Sequence, residues 1–215
     1  MILSPAKINL TLQIKDRLKS GYHIISSHIV FLDLFDRIYI ERASKDFLKI
    51  IGPFRNIINL SDENNLILKT LEFCRENKLT NNKFKVTLEK NIPISAGLGG
   101  GSSNSASIIR FFLKNNKNEE VKKIINLSKL LGADVPACLY SQPLLAEGIG
   151  EKISLINFDQ KLDIGIVLIN PNIKLSTKDV FNNFNFKKSL QKLITSKINN
   201  FSHFKELSNI GNDLK

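Results

Sequence analysis

The sequence predicts an α+β protein whose strands form a mixed or antiparallel sheet. Three observations carry that expectation. Apolar and polar residues alternate in several short runs joined by polar turns, the period of half-buried strands. Apolar residues recur at helical spacing in other runs, mostly later in the chain. Between one such strand and one such helix lies a stretch with four glycines in five positions, Gly97, Gly99, Gly100 and Gly101.

The first strand falls within residues 4–14, where Leu10, Leu12 and Ile14 alternate with polar residues and Lys7 and Asn9 share one side of its beginning. Two such polar residues suit a polar ligand or simply a solvated face. Gly21, Tyr22 and His23 follow a charged turn. A phenol ring beside an imidazole can stack on and hydrogen-bond a flat heterocycle, while a turn glycine with two half-exposed side chains is the plainer reading. His28 opens the apolar stretch Ile29, Val30, Phe31 and Leu32, which continues as an alternating strand through residues 36–41, and residues 47–51 make another.

Ser61, Asp62, Glu63 and Asn64 are expected to start a helix with Leu66, Ile67, Thr70, Leu71 and Cys74 as its buried stripe. Residues 84–89 alternate as a strand. After the glycines, Ser102, Ser103 and Asn104 offer N-caps to a helix carrying Ala106, Ile108, Ile109, Phe112 and Leu113. A helix over 120–131 is ended by Gly132. Pro136 fits the first turn of the next helix, which leaves Asp134 at its N-cap. Residues 145–151 read as a strand pair punctuated by glycines and 163–170 as a buried strand. Ser176 and Thr177 cap a helix bearing Val180 and Phe181, and 190–198 form a last amphipathic helix.

The glycine stretch, Pro93, Ile94, Ser95, Ala96, Gly97, Leu98, Gly99, Gly100, Gly101, Ser102 and Ser103, joins a strand to a helix start. There the first amides lack intrahelical partners and the macrodipole is positive, so a loop of this kind cradles anions, most often phosphate. No lysine follows the glycines, which excludes a Walker A loop. Ser102 stands where the dinucleotide fingerprint needs its third glycine, and the later motifs of protein kinases are absent. A solvated glycine-rich turn is the plain alternative. A capping role is likewise the plain reading of Asp134, but a chain with a phosphate loop and a strand-borne lysine also needs a carboxylate to handle a hydroxyl proton.

With 215 residues, 42% hydrophobic and 24% charged, the chain has the composition of a globular protein with one large domain, or one domain and part of a second. The formal charge of +11 favours anionic partners, but lysines are spread along the chain rather than gathered into a stripe, which argues for solvated faces over a nucleic-acid patch. Cys74 and Cys138, far apart in helix-like surroundings, read as buried reduced thiols. Neither a basic-then-apolar leader nor an apolar run of the ~20 residues that span a membrane is expected, which points to the cytoplasm.

Taken in order, Ser4-Pro5-Ala6-Lys7-Ile8-Asn9-Leu10, Gly21-Tyr22-His23, the stretch 93–103 and Gly132-Ala133-Asp134-Val135-Pro136 resemble the galactokinase, homoserine kinase, mevalonate kinase and phosphomevalonate kinase (GHMP) superfamily. Within it they are most similar to the members that phosphorylate a cytidine diphosphate derivative of methylerythritol on the non-mevalonate isoprenoid route. The resemblance implies a ribosomal protein S5 domain 2-like N-terminal domain over 1–155, with ATP binding and catalysis. A partial ferredoxin-like C-terminal domain follows over 156–215, the family's further glycine-rich motif lying beyond Asn212-Asp213-Leu214. It implies ATP-dependent phosphorylation of the C2 hydroxyl of that small molecule, with neither nucleic acid nor membrane as partner. Lys7 and Asp134 match the catalytic pair, and residues 93–103 match the loop around the ATP phosphates. Asn9, Tyr22 and His23, with Thr177 and Phe181, match the substrate pocket. Mg²⁺ is expected on the nucleotide's phosphates with a hydroxyl such as that of Ser102 or Ser103. A nucleotide-binding remnant without catalysis and a basic RNA-binding module of similar fold are the alternatives.

Overall fold

A computed structural model describes residues 1–55, 65–114, 118–157, 165–169, 180–181, 184 and 211–214. Among them the chain forms seven strands and four helices: β1 (Ile2–Asn9), β2 (Gln13–Arg17), β3 (His23–Ala43), β4 (Phe47–Ile51), α1 (Leu66–Glu76), β5 (Lys83–Glu89), α2 (Gly100–Leu113), α3 (Asn118–Ser128), α4 (Val135–Tyr140), β6 (Leu144–Gly148) and β7 (Lys152–Leu155). They divide into two compact units. The first holds Met1–Lys7, Phe31–Ile94 and Leu98–Ser141, and the second Ile8–Val30, Ser95–Gly97 and Gln142–Lys215.

In the first unit, β5 lies between β4 and β3. It runs parallel to β4, with Leu48 opposite Val86, and antiparallel to β3, with Ile40 opposite Val86. The parallel pair needs a crossover, and α1 supplies it. Alternation along these strands turns Ile38, Leu48, Ile50, Phe84, Val86 and Leu88 to one face, where they bury Ile67 and Leu71 of α1 and Ile108 of α2. The other side of α1 and α2 meets α3 and α4 through Phe73, Cys74, Ala106, Ile109, Ile124, Val135 and Cys138. Each such side chain removed from water contributes about 1.5–3 kcal/mol, so the glycine-loop helix α2 is held from both sides. Both cysteines are free and buried, and burial pushes each thiol up to about 12.

In the second unit, β3 pairs antiparallel with β2, with a bulge between Ile14 and Asp16, and with β6, which in turn pairs with β7. Gly211, Asn212 and Asp213 return to this edge. The Leu12 amide donates to the Gly211 carbonyl at 3.2 Å, the Asp213 amide to the Leu12 carbonyl at 2.8 Å, and the Ile14 amide to the Asp213 carboxylate at 2.8 Å. His28 is buried with Nδ1 2.8 Å from the Thr11 hydroxyl, and burial lowers its pKa against the opposing pull of Glu147.

Several boundaries differ from those expected. α1 begins after Asn65, whose side chain caps the Ile67 amide at 2.9 Å, and residues 61–64 lie outside the described residues. α2 begins at Gly100 rather than after the serines. Its N-cap is Gly99 in the left-handed region, φ 61°, with no side-chain capping bond, and the buried Ser103 hydroxyl accepts from that of Ser4. The strand expected over 163–170 is not formed where the structure describes it: Gly165–Ile169 carry no regular structure, and Val167 and Ile169 are 87% and 90% exposed. The helix expected over 190–198 lies outside the described residues. No helix among the described residues is long and apolar enough to cross a membrane.

Candidate active site

The site is best built from the first unit's glycine helix. Ser95, Gly97 and Gly99 all have positive φ, 56°, 71° and 61°, and Gly99 is the one whose neighbours also forbid a side chain. A Cβ there would stand 2.6 Å from Cγ and 3.0 Å from Cε of Lys7, so the missing side chain is what lets the lysine stem lie against the loop. β1 and the loop are stitched at the same place, the Lys7 amide donating to the Leu98 carbonyl at 2.9 Å. The next residue, Gly100, would drive a Cβ to within 2.8 Å of Lys90 Nζ.

Gly99 gives α2 no side-chain cap, and a helix start of that kind suits an outside acceptor for its first amides. Of the two serines, Ser103 is buried and its hydroxyl accepts from that of Ser4 at 3.0 Å, while Ser102 lies 3.7 Å from the place a Cβ on Gly132 would occupy. The turn at 132–134 therefore runs beside the start of α2.

Asp134 does stand at the N-cap of α4, but its side chain makes no capping bond. Its carboxylate lies 3.1 Å from Lys7 Nζ instead. The lysine side chain is 7% exposed and the aspartate side chain 44%, so the pair presents a carboxylate to solvent with an ammonium behind it. Two groups 127 positions apart in the sequence thus meet at the uncapped end of the glycine helix. The Asp134 charge reaches Cys138 one turn on, where it adds to burial in raising the thiol. Chemically the arrangement offers amide donors and a positive helix end for an anion, a cation, and a carboxylate able to take a proton.

The second unit carries the remaining expected residues. Asn9 donates from Nδ2 to the Ser27 hydroxyl at 2.7 Å, and Ser27 donates to the Thr11 carbonyl at 2.6 Å, which fixes the amide's orientation. His23 is buried, with the ring of Phe181 5.3 Å away and tilted and that of Phe184 6.5 Å away and edge-on. Burial first, and then the charge of Arg17, lowers the His23 pKa, so its ring is neutral at pH 7 with one nitrogen to donate and one to accept. Tyr22 is 60% exposed, and Thr177 lies outside the described residues. Phe184 was not expected. Its spacing of three from Phe181 is the signal that would have found it. Ser4, Ser27, Asp36 and Lys90 were likewise missed, because a lone buried polar residue leaves no periodic trace, and Asn104, expected as an N-cap, donates to Asp36 instead.

Residues 65–142 match the family described as GHMP kinases N terminal domain. In fold the chain resembles the crystal structure of homoserine kinase from Cytophaga hutchinsonii, on which it superposes with a TM-score of 0.56 at 16% identity, over 88% of this chain and 61% of that one.

The chain is 37% identical over 182 residues to a protein of Chelativorans sp. (strain BNC1) named 4-diphosphocytidyl-2-C-methyl-D-erythritol kinase, covering 83% of this chain and 61% of that protein. It is 38% identical over 188 residues to a protein of the same name from Clostridium botulinum (strain Langeland, type F), covering 85% and 64%. A crystal structure of 4-(cytidine 5'-diphospho)-2C-methyl-D-erythritol kinase superposes with a TM-score of 0.69 at 24% identity, over 99% of this chain and 74% of that one. The chain spans less than two thirds of the length of these two sequence relatives.

Proposed function

We propose that this chain is an ATP-dependent small-molecule kinase, or the larger part of one, which phosphorylates the C2 hydroxyl of 4-diphosphocytidyl-2-C-methyl-D-erythritol on the non-mevalonate route to isoprenoid precursors. The observation that carries the reading is the Lys7–Asp134 pair, 3.1 Å apart beside an uncapped glycine helix start. The names of the sequence relatives supply the substrate.

In this reading the hydroxyl oxygen attacks the γ-phosphorus, the bond from that phosphorus to the β–γ bridging oxygen breaks, and ADP leaves. Asp134 takes the hydroxyl proton, which its exposed carboxylate suits. Lys7, 3.1 Å from the Asp134 carboxylate, offsets charge on the phosphoryl group in flight. Residues 93–103 hold the ATP phosphates, chiefly through backbone amides at the start of α2. Mg²⁺ would be carried on the phosphates, with Ser102 as the hydroxyl ligand because the Ser103 hydroxyl is engaged with Ser4. In the second unit, Asn9, Tyr22, His23, Thr177 and Phe181 recognise the cytosine end. A neutral imidazole among aromatic rings fits a flat base with both donors and acceptors on its edge. By chain order, 1–155 form the ATP-binding and catalytic domain and 156–215 belong to a C-terminal domain, the whole working in the cytoplasm.

The test is ADP release from purified protein with ATP, Mg²⁺ and the diphosphocytidyl substrate, with and without Asp134→Asn. Turnover that falls by less than tenfold, about 1.4 kcal/mol of barrier, rejects Asp134 as the base. ATP binding with no turnover in the unsubstituted chain replaces the kinase by a nucleotide-binding remnant.

A further inference from the structure

Beneath the glycine loop lies a second lysine–aspartate pair that takes no part in the chemistry proposed above. Asp36, in β3, is completely buried. Its Oδ1 accepts the backbone amides of Asn91 at 2.7 Å and Ile92 at 2.8 Å. Its Oδ2 accepts the ammonium of Lys90 and, at 3.0 Å, Nδ2 of Asn104. A carboxylate has about four lone-pair sites, so these four donors satisfy it and leave nothing for a ligand.

The sequence positions of the donors matter more than their number. Lys90, Asn91 and Ile92 are the last residues before the loop, and Asn104 stands in the second turn of the helix that follows it. One carboxylate therefore grips the chain on both sides of the glycines. A buried ion pair is a poor source of stability, since apolar residues of the same volume do as well or better. What such a network adds is a fixed distance. Apolar packing lets two segments slide, whereas amide donors on one carboxylate must lie within hydrogen-bond reach of it. Gly100, whose absent side chain leaves room for Lys90 Nζ, is the point where this network and the helix start touch.

We infer that Asp36, Lys90 and Asn104 form a clamp that sets the span of the glycine loop, and so its affinity for the phosphates of a nucleotide. They are positioning residues: they hold the loop and do not touch the nucleotide's phosphates. The inference rests on the reading of 93–103 as a phosphate cradle.

Two measurements on the 215-residue chain test it: Mg-ATP affinity by titration calorimetry, and amide hydrogen exchange over residues 88–105. Asn104→Ala cuts only the helix arm of the clamp, and Asp36→Asn weakens all of it. Asp46→Asn serves as comparison, because Asp46 holds a separate ionic cluster with Arg75 at 2.8 Å and Lys83 at 3.5 Å, away from the loop. Asn104→Ala is expected to weaken Mg-ATP binding at least tenfold and to speed exchange across 91–103. Asp46→Asn, at an equal or greater fall in melting temperature, should stay within twofold of the starting affinity. Affinity within twofold in Asn104→Ala overturns the inference, and so does an equal loss in Asp46→Asn. Should Asp36→Asn fail to fold, Asn104→Ala decides alone. Absence of Mg-ATP binding in the unsubstituted chain removes the cradle reading, and unchanged exchange over 91–103 in Asn104→Ala then removes the clamp separately.

Discussion

Beside the glycine loop, the first unit places two lysine–aspartate pairs of opposite character. In Lys90–Asp36 both side chains are buried, 5% and 0% exposed, and every lone pair of the carboxylate is matched. In Lys7–Asp134 the ammonium is equally withdrawn but the carboxylate is 44% exposed and declines the capping bond that its position offers. The difference teaches what to look for in a reactive carboxylate. A saturated one can only hold things in place, whereas one with a single strong partner and open lone pairs can accept a proton.

The largest test of that contrast is to exchange the consequences. Asp134→Asn should lower turnover by about 10²–10⁴-fold, the usual contribution of a positioned base, yet shift stability by less than about 1 kcal/mol, because the amide keeps an oxygen facing Lys7 in an open site. Asp36→Asn should do the reverse in emphasis, lowering unfolding free energy by about 3–5 kcal/mol as Lys90 loses its buried counter-charge. Denaturant titration beside a turnover assay reads both, and equal stability losses in the two variants would dissolve the distinction.

A sharper comparison lies between two glycines of the same loop. Gly97 and Gly99 both have positive φ, but a Cβ on Gly97 would meet nothing within 4 Å whereas one on Gly99 would strike the Lys7 stem. Gly97→Ala should cost about 1–2 kcal/mol, the price of the backbone conformation alone. Gly99→Ala should cost more and displace Lys7 from Asp134, so that turnover falls with it. Parallel losses in the two would show that the close approach to Lys7 is not what Gly99 serves.

Smaller effects belong to the groups that burial keeps uncharged. Burial lowers His28 below its ordinary 6.5, and His23 in the same direction. The unfolded chain then binds these protons first, so the associated stability is complete above pH 6.5 and is lost as pH falls from there through the lowered values. His28→Asn should flatten the fall in melting temperature between pH 7 and 5.5, and an unaltered slope would deny that His28 is the titrating group. Cys74 and Cys138, held near 12, should resist alkylation at pH 8 until denaturant is added. Rapid labelling of the folded chain would mean that α1 or α4 opens.

Much of this was legible in the letters, and the gaps have physical reasons. The alternation in 84–89 and the 3.6-residue recurrence after it gave strand β5 and helix α2, because those faces are buried against a core. Lys7 and Asp134 could be paired only through resemblance to a family, as no local rule links positions 127 apart. The start of α2 was misjudged because Ser102 and Ser103 are good caps in general, yet Gly99 holds the left-handed turn and the hydroxyl of Ser103 is engaged with Ser4. Gly165–Ile169 looked like a buried strand on apolar content alone, which does not reveal whether a partner surface covers it. The Asp36 clamp left no trace, since its members, 36, 90 and 104, obey no shared period.

The return of Asp213 to the Ile14 amide, 199 residues away in the chain, has a consequence for how the molecule is made. At the ribosome, where about 5–20 residues are added each second, that amide waits on the order of 10–40 s for its acceptor to be synthesised. The second unit therefore closes late, after the glycine helix has had time to form, and a stalled or early-released nascent chain would carry an open β2 edge for chaperones to guard.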